Sequence, residues 1–205
     1  MPFETILITG AAGRLGTELR HGLAPLARLH EEALKAGVKR VIYASSVHAI
    51  GYHSIEDRID TTTPHRPDGL YGLAKCFVED LGRLYWDKLG IETVALRIFS
   101  SIREPTDHRM LWSWPSFADC VRGVTAALTA PRVGFAVSFG LSGHRVKPVD
   151  NARAAHPGFH PQDNTEPYRA GVEARLPWRN AIAPAVQRLG GWFVELGHPN
   201  DEVVE

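Results

Sequence analysis

Tyr71 and Lys75 stand four residues apart in the stretch Tyr71-Gly72-Leu73-Ala74-Lys75. On a helix that spacing puts both side chains on one face. A phenol, with a reference pKa of about 10, is a poor base at neutral pH. A neighbouring ammonium favours the phenolate and lowers that value. A base works best when its pKa approaches the operating pH. The two residues therefore predict a proton-transfer pair, with Tyr71 as the base. Taken alone, the spacing also fits an ordinary amphipathic helix.

Two other stretches narrow the choice. Upstream, an apolar run leads into the glycine-rich turn Thr9-Gly10-Ala11-Ala12-Gly13-Arg14-Leu15-Gly16. Small residues there let the backbone turn tightly and approach a pyrophosphate, which rests on the N-terminus of the following helix. Between that turn and Tyr71, Ala44-Ser45-Ser46-Val47-His48 closes a second apolar run and places Ser46 at a strand end.

The elements that must hold these residues can be read in order. Thr5 to Thr9 predicts a buried parallel strand. Helical patterning follows from about Arg14 through Leu15, Leu19 and Leu23, with Pro25 as a break, and again from Leu26 to Ala36. Gly37 stops it. Lys39 to Ser45 contains the next strand, Val41-Ile42-Tyr43-Ala44. Residues 46–70 read as a long loop, and Leu70 to Lys88 as a helix ended by Gly90. Glu92 to Ile98 is a strand, and residues 99–115 form a second loop carrying Arg109, Trp112 and Trp114. Ser116 is an N-cap for a helix to Thr129, and Gly134 to Phe139 a short strand. Beyond Leu141 only short helical pieces are expected, at 165–172 and 183–189.

A dinucleotide-binding turn should be followed by a second strand, ending in an acidic residue about 20 positions on. Between Gly16 and Val41 there is only helical material. Glu31 and Glu32 fall in the window but read as a solvated helix face. The units missing from this interval amount to roughly 60 residues at about 30 per strand–helix unit. The expected fold is thus α/β, a Rossmann-like parallel sheet shortened by loss of strand–helix units after the first strand and helix. Strand 5–9 should pair directly beside strand 40–45, with residues 14–36 as the crossover.

The chain has 205 residues, 44% of them hydrophobic, which suits a single domain with a sizeable core. Residues 1–140 read as a truncated cofactor-binding core and 141–205 as a C-terminal substrate-covering region. Lysine plus arginine equals aspartate plus glutamate, at 23 each, so charge gives no reason to expect nucleic acid or an anionic membrane as partner. Two cysteines, Cys76 and Cys120, suggest no disulfide framework. No signal peptide or run of the roughly 20 apolar residues needed to span a bilayer is visible, so a soluble cytoplasmic protein is expected. No metal site is expected: His156 and His160 have ligand-like spacing, but Pro157 and Gly158 lie between them and no third ligand matches. Trp112 and Trp114 read as packing or pocket walls. Homo-oligomerisation stays open.

A nucleotide-binding turn, a strand-end serine and Tyr-x-x-x-Lys, in that order, resemble the extended short-chain dehydrogenases, the NAD-dependent epimerase/dehydratase family. Within it the chain looks most like the uronate-oxidising branch. The runs that carry this are Ala44 to Tyr52, Arg66 to Phe77, Arg97-Ile98-Phe99-Ser100, Arg109-Met110-Leu111 and His156 to Asn164. The resemblance implies NAD as cofactor, contacted by Gly10, Gly13, Arg14, Leu15, Gly16, Tyr71 and Lys75. It implies a small sugar acid as substrate, a hexuronate oxidised at its anomeric hydroxyl to an aldarolactone. Tyr71 would take the hydroxyl proton, Lys75 would bind the nicotinamide ribose and lower the phenol's pKa, and Ser46 would hydrogen-bond the reacting oxygen. His48 and Ser100 would contact sugar hydroxyls, and Arg109 the carboxylate.

Each role has a plainer counterpart: Ser46 as a polar strand end, His48 as a structural histidine, Arg109 as a loop charge. Val47 replaces an asparagine of the family's pattern, and Phe99 a glycine beside the substrate pocket, where its ring would crowd the site. Arg14 raises a 2′-phosphate cofactor as an alternative. Two other readings of the whole chain stand beside the first. One is a nucleotide-sugar epimerase or dehydratase; the other is a truncated, non-catalytic remnant with impaired NAD binding.

Overall fold

The computed structural model describes residues 5–8, 28–175 and 183–197, with side chains from residue 28 onward. The glycine turn, with Gly10, Gly13, Arg14, Leu15 and Gly16, lies outside the described residues, as does the expected helix start near Arg14.

Strand β1 (Thr5–Ile8) is followed by helix α1, described over residues 28–35, and by strand β2 (Arg40–Ser46). A 3-10 turn, Val47–Ile50, leads to the two-residue strand β3 (Ile59–Asp60). Then come helix α2 (Leu70–Leu89), strand β4 (Glu92–Ile98), the single-turn helix α3 (Met110–Ser113) and helix α4 (Phe117–Thr129). Strands β5 (Phe135–Gly140) and β6 (Val149–Asp150) precede helices α5 (Glu166–Arg175) and α6 (Pro184–Gln187).

The main sheet is parallel, in the order β1-β2-β4-β5. β1 lies directly beside β2, with Thr5 opposite Arg40 and Ile8 opposite Tyr43. No further strand separates them in the sheet, as the absence of strand patterning after Gly16 predicts.

The strands are near-continuous apolar runs because both faces are covered. On one face Ile42, Val94 and Leu96 pack against Ala127 of α4 and Val133. On the other, Val41 and Ile91 pack with Ala33 of α1, and Tyr85 of α2 closes the layer. A third apolar cluster sits beyond the C-terminal edge of the sheet, where Val47, Ile50, Phe99, Phe139, Leu141 and Leu189 meet.

Capping follows the chemistry of the residue types. The Ser116 hydroxyl accepts from the Asp119 amide at 2.8 Å and starts α4. Arg40 Nη1 donates to the Ala127 and Ala130 carbonyls at the other end, at 2.8 and 2.7 Å, while Nε pairs with Glu92 at 2.8 Å.

Two stretches expected to be irregular contain structure. β3 and β6, from the loop after Ser46 and the region after Leu141, pair in parallel as a separate two-stranded sheet. Two residues are too few to show alternation. The loop 99–115 contains α3, whose one turn is likewise too short for helical periodicity. Glu31 and Glu32 are solvent-facing on α1 and pair with Lys35, as expected of an exposed helix face.

Candidate active site

Parallel strands bring their carboxyl ends to one edge, where open α/β sheets hold their ligands. β2 ends at Ser46 opposite Ile98 of β4, so Ser46 and Ser100 reach the same edge. Helix α2 returns over that edge and brings Tyr71 in its first turn and Lys75 in its second. Gly72 makes this approach feasible: a Cβ there would run into the carbonyl oxygen of His48. The helix therefore lies against the turn that carries His48.

Lys75 is buried, at 2% exposure. Its Nζ donates to the Ala44 carbonyl at 2.8 Å. The ammonium also lies 5.2 Å from the centre of the Tyr71 ring and 4.9 Å from that of Tyr43. Burial lowers the Lys75 pKa to about 8, although the Glu79 charge pulls it upward. Tyr71 corrects a sequence expectation. Its pKa lies above the ordinary 10, because burial outweighs a hydrogen bond with the Ser46 side chain, and the charge of Asp68 adds to the rise. The lysine lies over the face of the ring, and burial of the phenol decides the sign.

Behind Lys75, Glu79 continues the same helix face. It takes a bidentate pairing from Arg97 of β4, with Nη2 at 2.7 Å, and hydrogen bonds from Ser45 and from His65 at 2.8 Å. Burial pushes the Glu79 carboxyl up, but the bonds from His65, Arg97 and Ser45 and the Arg97 charge hold it down at about 2. His65 rises to about 10 through hydrogen bonding with Cys76 and Glu79, against its burial.

His48 sits between Tyr71 and the chain's C-terminal part. Its ring is edge-on to Tyr71 at 5.6 Å and tilted against Phe193 at 4.0 Å. Its Nδ1 meets Asp68 Oδ2 at 2.7 Å. The Ser46 hydroxyl accepts from the His48 amide at 3.3 Å.

Arg109 precedes α3 and turns back toward β4. Its Nη1 donates to Ser100 Oγ at 2.7 Å and to Ser113 Oγ at 3.4 Å, and its Nη2 to the Leu189 carbonyl. Nε, although buried, has no hydrogen-bond partner among the described residues. The guanidinium lies 5.3 Å from the Trp112 ring. Burial lowers the Arg109 pKa to about 10, with the charges of Asp107 and Asp68 opposing.

The structure thus gathers Ser46, His48, Tyr71, Lys75, Ser100 and Arg109 at one sheet edge. Phe99 points elsewhere. It is buried edge-on to Trp112 at 6.4 Å and to Phe139 at 6.2 Å, in the same apolar cluster as Val47. Both departures from the family's pattern are therefore buried in that cluster. Trp114 is also buried, with its indole donating to the Ile102 carbonyl at 2.8 Å. His156 Nε2 lies 3.2 Å from the Val133 carbonyl.

Three residues at or behind the site escape a reading by spacing. Asp68 looks like a turn residue before Gly69. Glu79 looks like any helix charge, although it lies four residues beyond Lys75, a signal that was available. Leu189 belongs to a stretch without a motif.

A family model for the NAD dependent epimerase/dehydratase family matches residues 23–111. A uronate dehydrogenase of Pseudomonas putida is 44% identical over 82% of this chain and 63% of its own length. One from Pseudomonas syringae pv. tomato is 39% identical over 98% of this chain and 68% of its own. The solved structure of a mutated uronate dehydrogenase superposes with a TM-score of 0.91 at 40% identity, covering 97% of this chain and 73% of that one. The chain spans about two thirds of the length of the curated relatives it matches, 63% and 68% for these two.

Proposed function

The chain belongs to the NAD-dependent epimerase/dehydratase family, and from that premise we propose that it is an NAD-dependent dehydrogenase that oxidises a hexuronate, glucuronate or galacturonate, at its anomeric hydroxyl to the aldarolactone. The observation that carries this reading is the sheet-edge cluster itself. The Tyr71 phenol stands beside the Lys75 ammonium and shares its edge with Ser46 and with an arginine fork.

The roles follow from the geometry. Tyr71 Oη accepts the proton of the anomeric hydroxyl. Ser46 hydrogen-bonds the same oxygen and holds it against the phenol. Lys75 uses one N–H on the Ala44 carbonyl and has two left, a donor set that fits a ribose diol. Bound NAD supplies the hydride acceptor. The Lys75 ammonium also lies 5.2 Å from the centre of the Tyr71 ring, so it stabilises the phenolate as the proton leaves the substrate. His48 and Ser100 hydrogen-bond sugar hydroxyls. Arg109 offers a carboxylate the fork of Nε and Nη2, charged at working pH. Gly10, Gly13, Arg14, Leu15 and Gly16 would approach the pyrophosphate. Residues 1–140 serve as the cofactor-binding core and 141–205 as the substrate cover, in a cytoplasmic protein.

The test is NAD reduction by the purified chain with glucuronate or galacturonate. Tyr71→Phe should lower the rate by about 10²- to 10⁴-fold, the range of a lost general base. Equal rates for the two proteins would remove Tyr71 from the chemistry.

A further inference from the structure

Asp68 is held in an unusual enclosure. Its side chain is fully buried, at 0% exposure, while that of His48 retains 14%. Oδ2 lies 2.7 Å from His48 Nδ1, and the Asp68 amide donates to the His48 carbonyl at 3.3 Å, so the two residues are tied through side chain and backbone. Two glycines close over the carboxylate from different parts of the chain. A Cβ on either Gly51 or Gly190 would overlap Oδ2. These glycines are joined by a hydrogen bond from the Gly190 amide to the Gly51 carbonyl at 2.9 Å. Asp68 Oδ1 has no hydrogen-bond partner among the described residues. The carboxylate's one side-chain hydrogen bond among the described residues is therefore to the imidazole, and although its charge is felt at Arg109 it forms no salt bridge there.

A carboxylate only accepts hydrogen bonds, so the proton of this contact sits on Nδ1. In a neutral ring Nε2 then carries a bare lone pair. Phe193 at 4.0 Å and Tyr71 at 5.6 Å fix the ring plane. Building on the hexuronate reading above, we propose that Asp68 is a positioning residue, which locks His48 in the Nδ1–H tautomer so that Nε2 accepts a hydrogen bond from a sugar hydroxyl. The site then selects a substrate that presents a hydroxyl to Nε2. It discriminates against the deoxy sugar, which would cover the acceptor without pairing it.

The first measurement is the nitrogen-15 spectrum of the histidine-labelled full chain near pH 8 without cofactor, with His48 assigned by its loss in His48→Gln. A protonated Nδ1 beside an unprotonated Nε2 is the expected pattern. An Nε2–H tautomer or a doubly protonated ring overturns the proposal, whatever the chain catalyses. This readout needs no Asp68 variant to fold. Asp68→Asn keeps the shape and a carbonyl acceptor, and should retain the tautomer and the uronate KM within about threefold. Asp68→Ala should raise the uronate KM about tenfold, some 1.4 kcal/mol, with the NAD KM unchanged. In a His48→Ala background the same change should alter the uronate KM less than about twofold, because its effect passes through the ring. An equal effect in both backgrounds would make Asp68 a structural residue only. The expected tautomer in a chain that oxidises no uronate would refute the proposed function and leave the assignment of the ring standing.

Discussion

Arg109 shows how much a single side chain's meaning depends on its partners. Its position in a tryptophan-rich loop allows a surface charge or an anion site. In the structure Nη1 is occupied by Ser100 and Ser113 and Nη2 by the Leu189 carbonyl, leaving Nε as the unpartnered donor on one edge of the fork. Lysine cannot reproduce that planar set of bonds. Arg109→Lys should therefore raise the uronate KM by about 10- to 100-fold, equivalent to about 1.5–3 kcal/mol for a hydrogen bond to a charged group. A smaller effect on kcat separates binding from chemistry. Tyr71 and Lys75 were legible because their relation is local, one helical turn. Asp68 was not, because its partner His48 is 20 residues away and the contact exists only once the loop has closed. The burial of Phe99 against Phe139 is long-range in the same way, since a sequence position says where a backbone runs and packing decides which way the ring turns.

Helix α2 works as one unit with a periodic face. Tyr71, Lys75 and Glu79 recur every four residues, from the sheet edge inward to the Arg97 pair. The Glu79 and Arg97 side chains are 2% and 3% exposed. Glu79→Ala would leave Arg97 buried without its carboxylate, which costs about 3–5 kcal/mol, measurable by urea unfolding at pH 7. The acid dependence follows from the sign of the shift. Glu79 titrates near 2 in the fold, below its ordinary 4.5, so its contribution is full above 4.5 and is lost as pH falls through about 2. Glu79→Gln should flatten the loss of stability in that window. His65 acts in the opposite direction. Its raised value of about 10 gives stability below its ordinary 6.5 that is lost as pH climbs through 10. Elements of six residues or more were readable from pattern, with α4 and its Ser116 cap placed to the residue. The two-residue strands β3 and β6 were not, since pairing across a gap of some 90 residues leaves no local trace.

At the scale of the molecule, the sheet among the described residues has its first strand at an edge. In the doubly wound order the first strand lies between the second and the fourth, and the second carries the acid that holds the ribose. Here β1 pairs among the described residues with β2 alone. A missing hydrogen bond from a charged group costs about 1.5–3 kcal/mol. NAD should accordingly bind about 10- to 100-fold more weakly here than to the Pseudomonas putida enzyme titrated alongside. Equal affinities would mean that this chain grips the adenosine in another way. The direct pairing of β1 with β2 was legible because no strand pattern stands between Gly16 and Val41. The Leu189 carbonyl on Arg109 carries a last implication. One guanidinium serves two masters, the segment at Leu189 and any anion that arrives. By thermodynamic reciprocity, an anion that draws Nη2 away must loosen the Leu189 segment by as much as a firmly seated segment weakens the anion's hold. Glucuronate should then quicken amide hydrogen exchange at Leu189 and Gly190, whose amides bond to His53 and Gly51. The protein would report its own occupancy through the loosening of the segment at Leu189 and Gly190.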